Sequence, residues 1–294
     1  MNPLFGIESM FSIIGPMTTQ LEDELGDVLE KARDGKNWSQ ADLAQAVQIG
    51  PDAIARMENY ETVPDDNTIR DLARVLDLHA PSLIDVAKGN WVPQPSTPDP
   101  ENLEVVCLDL LVGSYPVKCY FLICRATRAS AVIDTGGNPD AIIKKAKELN
   151  LNPEKILLTH AHFDHAGGLG KLDKAFVCPA WIDKKEPKPS GSRDYQYPAD
   201  GEILKLGKLN IEVLFTPGHT PGGVSFKIGN TVFSGDAIFA GSMGRANASW
   251  SGLFESITER LLILPDETRL FPGHGPATTV GEEKLHNPFF FGKV

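Results

Sequence analysis

The segment Thr159-His160-Ala161-His162-Phe163-Asp164-His165-Ala166-Gly167-Gly168 places three histidines and one aspartate within six residues. It follows the apolar run Ile156–Leu158, which is typical of a short buried strand, and the two glycines at its end permit a tight turn. The cluster is therefore predicted to lie on a loop at the end of a strand, where buried structure holds side chains in fixed directions. Imidazole and carboxylate groups without a thiolate favour zinc, iron or manganese at a site that is not of the structural cysteine type.

Two more histidines stand in turns rich in glycine and proline, His219 within residues 216–222 and His274 within residues 271–276. Between these turns, Asp236 follows another apolar run. The chain has seven histidines in all, so five of them at predicted strand ends are not explained by ordinary polar loops. Five histidines and two aspartates are enough ligands for two metal ions.

The 294 residues are enough for one large and one small domain. No stretch approaches the roughly 18 apolar residues of a membrane span, so no membrane association is expected. Residues 1–17 hold no Lys or Arg and so lack the charged region of a signal peptide; they are predicted to be a tail, with Met17 as an alternative start. The four cysteines do not have the spacing of a metal site or a redox motif, so they are expected to be free thiols. Free thiols, together with the lack of a signal peptide, predict a cytoplasmic protein.

Residues 18–90 show the spacing of apolar residues that is typical of short helices. They resemble the Cro/C1-type helix-turn-helix family in the segments Trp38–Ala44, Ile54–Asn59 and Leu72–Leu76 and at Pro64. The resemblance implies a small all-α domain of five helices, whose third helix, Pro51 to Asn59, would enter a major groove of DNA.

Charge disfavours DNA as the partner of this domain. Residues 1–95 hold seven Lys and Arg against sixteen Asp and Glu, so −9 of the net charge of −11 lies there. The first positions that would read bases are Pro51 and Asp52, Arg56 is the one cation in the sequence of that helix, and the turn before it carries Gln48 where the family usually has Gly. Because DNA affinity rests largely on neutralised phosphates, dimerisation or protein contact is favoured, and a homodimer is one expectation.

Residues 91–100 hold four prolines and are predicted to form an extended linker. From residue 101 to residue 294 the pattern changes to strands with few helices, and the candidate ligands follow separate strands. Their order resembles that of the metallo-β-lactamase superfamily: His160, His162, Asp164, His165, His219, Asp236 and His274. The resemblance implies an α/β fold, the αββα sandwich, with two sheets face to face, helices outside and a two-metal site at one edge.

The resemblance also implies a role for each ligand. It implies a first divalent metal held by His160, His162 and His219, and a second held by Asp164, His165 and His274. Asp236 would bridge the two ions, and Asp134 would orient ligands as outer carboxylates do, with a plain turn residue as the alternative for Asp134. Zinc is the first candidate metal, with iron and manganese as alternatives.

Residues 235–245 and 272–289 narrow the resemblance to short hydrolases of the glyoxalase II type, which implies a small-molecule thioester substrate such as a hydroxyacylglutathione. Paired metals lower the pKa of a water for attack on a carbonyl, and Asp164 is the predicted catalytic residue because it can hold or accept that water's proton. Arg245 is predicted either to bind a substrate carboxylate through its planar guanidinium group or to pair with a structural acid.

Residues 181–198 are predicted to form a long surface loop.

One alternative to the hydrolase is another enzyme of the same fold, and a second alternative is a protein of another class. The persulfide dioxygenase branch of the same fold uses one iron, but its members tend to have Asp-Tyr where this chain has Gly275-Pro276, and Cys where it has Met243. A transcription regulator whose metal domain senses a metal or ligand would explain the helix-turn-helix domain, yet sensing does not need the complete ligand set. Hydrolysis of β-lactams is disfavoured by the expected cytoplasmic location.

Overall fold

The N-terminal part of the protein is helical in the computed structural model, which describes residues 20–94 and 99–294. The predicted tail with Met17 lies outside the described residues, as do residues 95–98 of the predicted linker. Five helices follow one another: α1 (Leu25–Gly35), α2 (Gln40–Ala46), α3 (Pro51–Glu58), α4 (Asp66–Leu76) and α5 (Ala80–Lys88).

Local signals explain where these helices begin. Ser39 accepts a hydrogen bond from the backbone N–H of Asp42, whose carboxylate accepts one from Ser39 N–H in return, so the two residues form a capping box at the start of α2. Asp65 caps α4, and Pro51 occupies the first turn of α3. Between α2 and α3, Gln48 adopts a left-handed φ of +57°, which costs a residue other than glycine about 1–2 kcal/mol.

The C-terminal part consists of strands and a few helices. The strands of one group are β1 (Leu103–Val112), β2 (Tyr115–Cys124), β3 (Ser130–Ile133), β4 (Lys155–Leu157), β5 (Ala180–Trp181) and β6 (Tyr195–Gln196). Those of a second group are β7 (Ile203–Leu206), β8 (Leu209–Phe215), β9 (Val224–Ile228), β10 (Thr231–Gly235), β13 (Arg269–Pro272) and β14 (Thr278–Thr279), and β11 (Ile238–Phe239) pairs with β12 (Ser242–Met243). The helices are α6 (Pro139–Glu148), α7 (Phe163–Ala166), α8 (Leu169–Phe176), α9 (Trp250–Ser256), which continues as a π-helical turn (Ile257–Leu261), and α10 (Val280–His286).

The strands form two six-stranded sheets that pack face to face. Their orders are β1-β2-β3-β4-β5-β6 and β14-β13-β10-β9-β8-β7. Leu122 and Leu157 of the first sheet belong to the same buried apolar cluster as Phe226 and Phe233 of the second, and α6 and α8 cover the outer face of the first sheet with residues such as Leu172. The predicted αββα sandwich after an all-α domain is confirmed.

The helical N-terminal domain packs on the outer face of the second sheet. One buried apolar cluster contains Leu29 and Leu83 from the helical domain together with Leu261 and Phe290 from the sandwich. A Cβ atom added to Gly35 would lie only 2.3 Å from the indole of Trp250, so α1 approaches α9 closely. The helical domain thus contributes to the outer helical layer of the sandwich. Among residues 20–94 and 99–294, no helix has both the length and the apolar character that a membrane crossing requires.

Candidate metal centre

The ends of four strands converge at one edge of the sandwich. β4 leads into the histidine loop, β8 into the turn of His219, β10 into Asp236 and β13 into His274. β3 and β4 are parallel neighbours in one sheet, as are β10 and β13 in the other. Because parallel strands end at the same edge of a sheet, residues far apart in sequence meet here.

The first cluster contains three histidines. The Nδ1 atom of His162 lies 3.0 Å from Nε2 of His160 and 3.0 Å from Nε2 of His219. Nitrogen atoms that share a tetrahedral zinc ion at about 2.0–2.1 Å lie roughly 3.3 Å apart. The three rings therefore point their nitrogen atoms at a common centre, as metal ligands do.

The second cluster contains Asp164, His165 and His274. The Nε2 atoms of the two histidines are 3.3 Å apart, and Oδ2 of Asp164 lies 3.4 Å from Nε2 of His274 and 3.7 Å from Nε2 of His165. The candidate ligand atoms of each cluster all lie within 4.8 Å of one another, a spacing at which they could hold a metal ion.

Asp236 lies between the two clusters. Its Oδ1 atom is 3.3 Å from Nε2 of His165, and its Oδ2 atom is 3.5 Å from Nε2 of both His219 and His274. The carboxylate is buried, and Oδ1 has no hydrogen-bond partner among the described residues. A Cβ atom at Gly273 would lie 2.3 Å from that oxygen, so only glycine leaves room for it. A buried carboxylate with an unpartnered oxygen costs free energy, and a bound metal ion would satisfy that oxygen, so the residues fit the metals that their types predict.

Burial favours the neutral form of two histidines of the first cluster, His160 and His219. It lowers the pKa of His160 well below its usual value, and it lowers the pKa of His219 against the opposing effect of Asp236. Neutral imidazole is the form that binds a metal.

In the second cluster, neighbouring carboxylates stabilise the positively charged form of the histidines. Burial opposes the charge of both histidines, but Asp236 and Asp134 raise the pKa of His165 well above its usual value. Hydrogen bonds to Asp164 and Asp236 likewise raise the pKa of His274 to about 10. The same pairing holds the pKa of Asp236 well below its usual range in spite of its burial. The centre is thus built to stabilise cations.

A further group of hydrogen bonds orients the ligand rings. Oδ2 of Asp134 lies 2.8 Å from Nδ1 of His165, and the same carboxylate accepts hydrogen bonds from the backbone N–H and the hydroxyl of Thr159, each at 2.8 Å. Two other ligand histidines donate hydrogen bonds from Nδ1 to backbone carbonyl oxygens. His219 donates to Arg245 at 2.7 Å, and His274 donates to Pro116 at 2.6 Å. Such bonds fix the tautomer and leave Nε2 free for a metal. Asp134 lies where an orienting carboxylate is expected.

Glu186 is a site residue that the sequence did not indicate. It lies within the predicted loop of residues 181–198, yet only 6% of it is exposed. Oε2 accepts a hydrogen bond of 2.9 Å from the backbone N–H of Ala161, between the first two histidines, and Oε1 accepts one of 2.8 Å from Gly222 N–H, in the turn of His219. One carboxylate therefore holds together the two loops that carry the first cluster. Since it stands in a segment rich in lysine and proline that also holds Asp183, no local pattern marks it.

Arg245 faces the helical domain. Its guanidinium lies 2.5 Å from Oε2 of Glu30 and 3.4 Å from Oδ2 of Asp34, both on α1. Of the two roles predicted for Arg245, the structure shows the pairing with structural acids. Its backbone carbonyl, which accepts from His219, is the part of the residue that touches the centre.

The predicted recognition helix, α3, keeps its outward face exposed. Pro51, Asp52 and Asn59 are exposed, and the exposed Arg56 lies 3.8 Å from Glu61. The face that would meet a major groove therefore presents the acid Asp52 and the cation Arg56, and Arg56 already has Glu61 as an acidic neighbour. This arrangement does not favour the binding of DNA phosphates.

Comparisons with known proteins match the helical part and the sandwich part of the chain separately. A model of the metallo-beta-lactamase superfamily matches residues 112–274, and a helix-turn-helix model matches residues 29–83. The chain is similar to the probable metallo-hydrolase YqgX of Bacillus subtilis, with 37% identity over 62% of this chain and 95% of that protein.

Two further similarities bear on the chemistry. Hydroxyacylglutathione hydrolase GloC of Haemophilus influenzae is 35% identical over 65% of this chain and 99% of that protein. A solved structure described as TTHA1623 in a di-iron-bound form superposes with a TM-score of 0.55 and 33% identity, over 62% of this chain and 99% of the other. Each match covers a share of this chain close to that of the sandwich domain.

Proposed function

The chain belongs to the metallo-beta-lactamase superfamily, and on that premise we propose that residues 101–294 form a dinuclear metal-dependent hydrolase of thioesters, with a hydroxyacylglutathione as the first candidate substrate. The observation that carries the proposal is Asp236, one buried carboxylate whose two oxygens face two separate clusters of candidate ligands. The similarity to a hydroxyacylglutathione hydrolase supports the substrate class, and the similarity to a di-iron-bound structure supports two metals.

The two clusters suggest the ligand sets. We assign the first metal to His160, His162 and His219, and the second to Asp164, His165 and His274. Asp236 would bridge them, and Asp134 would orient His165. The nitrogen and oxygen donors suit zinc, iron and manganese, with zinc as the first candidate.

When bound, such metals supply Lewis acidity and lower the pKa of a water. Asp164, whose side chain is 31% exposed, is the residue that can hold or accept a proton from that water. The neighbouring histidines keep the pKa of Asp164 below its usual value against the effect of burial, so the side chain is an anion, the form that binds a metal and can receive a hydrogen bond from water. A thiol leaving group with a pKa of about 8.5 needs little help from an acid.

The test is thiol release from S-lactoylglutathione by purified protein loaded with zinc, iron or manganese in turn. Asp236→Ala removes the group that faces both clusters, so we expect at least a hundred-fold loss of turnover. Turnover near the wild-type rate in that variant would contradict the scheme. One iron per chain, together with oxygen consumption on a persulfide, would instead identify the mononuclear dioxygenase.

For the helical domain we propose a structural role rather than DNA binding. Its apolar residues share a buried cluster with the sandwich, and its charge is strongly negative. A shift of a defined DNA site at low salt would contradict this assignment.

A further inference from the structure

We propose that the helical domain forms one wall of the active-site mouth and that Glu22 makes this mouth selective for thioesters with a neutral or cationic thiol carrier over those with an anionic carrier. The inference rests on the proposed thioesterase function and deepens it. Glu22 precedes α1 and lies beside His274 of the second cluster.

Glu22 is in direct contact with the ligand loop of β13. Its Oε1 atom lies 4.0 Å from Nδ1 of His274, and its side chain is 27% exposed. A Cβ atom at Gly275 would lie 2.9 Å from Cβ of Glu22, so the two backbones pack closely. The carboxylate therefore lies beside the second cluster, on the Nδ1 side of His274, and is partly open to solvent. In the proposed geometry, the thiol carrier of a bound substrate passes this carboxylate.

Buried bonds fix this segment in place. The next residue, Asp23, is buried and binds both the ammonium group of Lys31 and the hydroxyl of Ser242. Lys31 in turn donates to the carbonyl oxygen of Met243 at 2.8 Å, in the hairpin that follows Asp236. Because a buried ion pair with satisfied hydrogen bonds is costly to open, the wall cannot swing away from the site.

Three cations near the second cluster are already paired. Lys31 lies 5.1 Å above the ring of Phe239, which itself contacts His274, but its charge is matched by Asp23. Arg245 pairs with acids of α1. Lys118, whose backbone N–H donates to Gly273, pairs with Asp109. These three cations are therefore not free to receive a carboxylate of the carrier, and Glu22 adds a negative charge.

The wall distinguishes this chain from its hydroxyacylglutathione-hydrolysing relative. The match to that relative covers 99% of the relative and 65% of this chain. The matched 65% is close to the share of this chain that residues 101–294 make up. The relative thus has no room for a domain equivalent to the one that carries Glu22, so its carrier preference does not transfer to this mouth.

The experiment compares two thioesters with the same acyl group, S-lactoylglutathione, whose carrier has two carboxylates, and S-lactoyl-N-acetylcysteamine, whose carrier is neutral. We expect the wild type to have the higher kcat/KM for the neutral carrier. Glu22→Gln should raise kcat/KM for the glutathione thioester roughly five-fold through KM, as for two like charges about 8 Å apart in partly screened surroundings, and leave the neutral thioester unchanged. Glu22→Lys should extend the change in the same direction.

Glu61→Gln is the matched control, because it removes the same charge from an exposed position of the helical domain. Equal changes for both thioesters, or the same change in the control, would overturn the role of Glu22 while the thioesterase function stands. If the wild type hydrolyses neither thioester, the proposed function fails and this inference fails with it.

Discussion

Glu186→Gln tests whether the first metal cluster depends on a residue that contacts none of its rings. The carboxylate accepts one backbone hydrogen bond at each oxygen, from Ala161 and from Gly222. The amide of Gln keeps one acceptor and turns an NH₂ group towards the other backbone N–H, so one bond is lost and two donors face each other. The side chain has nearly the same volume, so the core itself is not altered.

The size of the effect follows from the bond that is lost. A hydrogen bond to a charged group contributes about 1.5–3 kcal/mol. If most of this free energy orders the two ligand loops, the first site should bind its metal about 10- to 100-fold more weakly, which is the usual range for residues that support ligands. The second cluster, which Glu186 does not touch, should keep its affinity.

The assay is a titration of metal-free protein with Co²⁺, followed by visible absorption that separates the two sites. Asp183→Asn is the matched control. Asp183 is buried in the same turn and the variant loses the same charge, but the Asp183 carboxylate accepts its hydrogen bond from the backbone N–H of Lys185 within the turn. Unchanged affinity of the first site in Glu186→Gln would refute the reasoning. An equal loss at both sites in both variants would show general destabilisation of the turn instead.

Three further changes test other parts of the structure. Asp134→Asn should weaken the second site about 10- to 100-fold, because it disturbs the partner of His165; a titration that finds both sites unchanged would contradict this. Lys31→Met should cost about 3–5 kcal/mol of unfolding free energy, because it leaves Asp23 buried without its partner; urea unfolding measures it, and a loss below about 1 kcal/mol would show that the pair is dispensable. Burial raises the pKa of Glu283 from 4.5 to about 7, so the folded state holds this proton more tightly than the unfolded state, and stability falls as pH rises from about 4.5 to 7. Glu283→Gln should remove up to about 3 kcal/mol of this pH-dependent loss of unfolding free energy. Chemical unfolding at several pH values measures it, and the same dependence on pH in wild type and variant would contradict a raised pKa of Glu283.

Membership of the superfamily and the sandwich fold could be predicted from the sequence because their signals are local. Four of the seven candidate ligands stand within the single loop 160–165, and the others follow their own strands directly. A strand end that carries a ligand can be recognised from an apolar run and the turn residues after it. The helix-turn-helix domain was recognisable for the same reason, since its helices are marked by spacing and caps within a few positions.

The partners of individual charged residues could not be predicted in this way. Lys31 binds the backbone of Met243 across 212 positions of sequence, and Arg245 meets Glu30 across 215. The sequence left two roles open for Arg245, and only the packing of α1 against the sandwich decided between them. Glu186 is a similar case, because its two partners lie 25 and 36 positions away.

The sequence by itself determined which residues could bind metal and in which order along the chain they occur, because ligand type and strand-end spacing are local properties. Only the tertiary structure decided that Glu186 joins the two loops of the first cluster and that Glu22 of the helical domain lies 4.0 Å from Nδ1 of His274. The physical reason is that these relations depend on how two sheets and a helical domain bury a common apolar surface. That burial is non-directional and leaves no short motif in the chain.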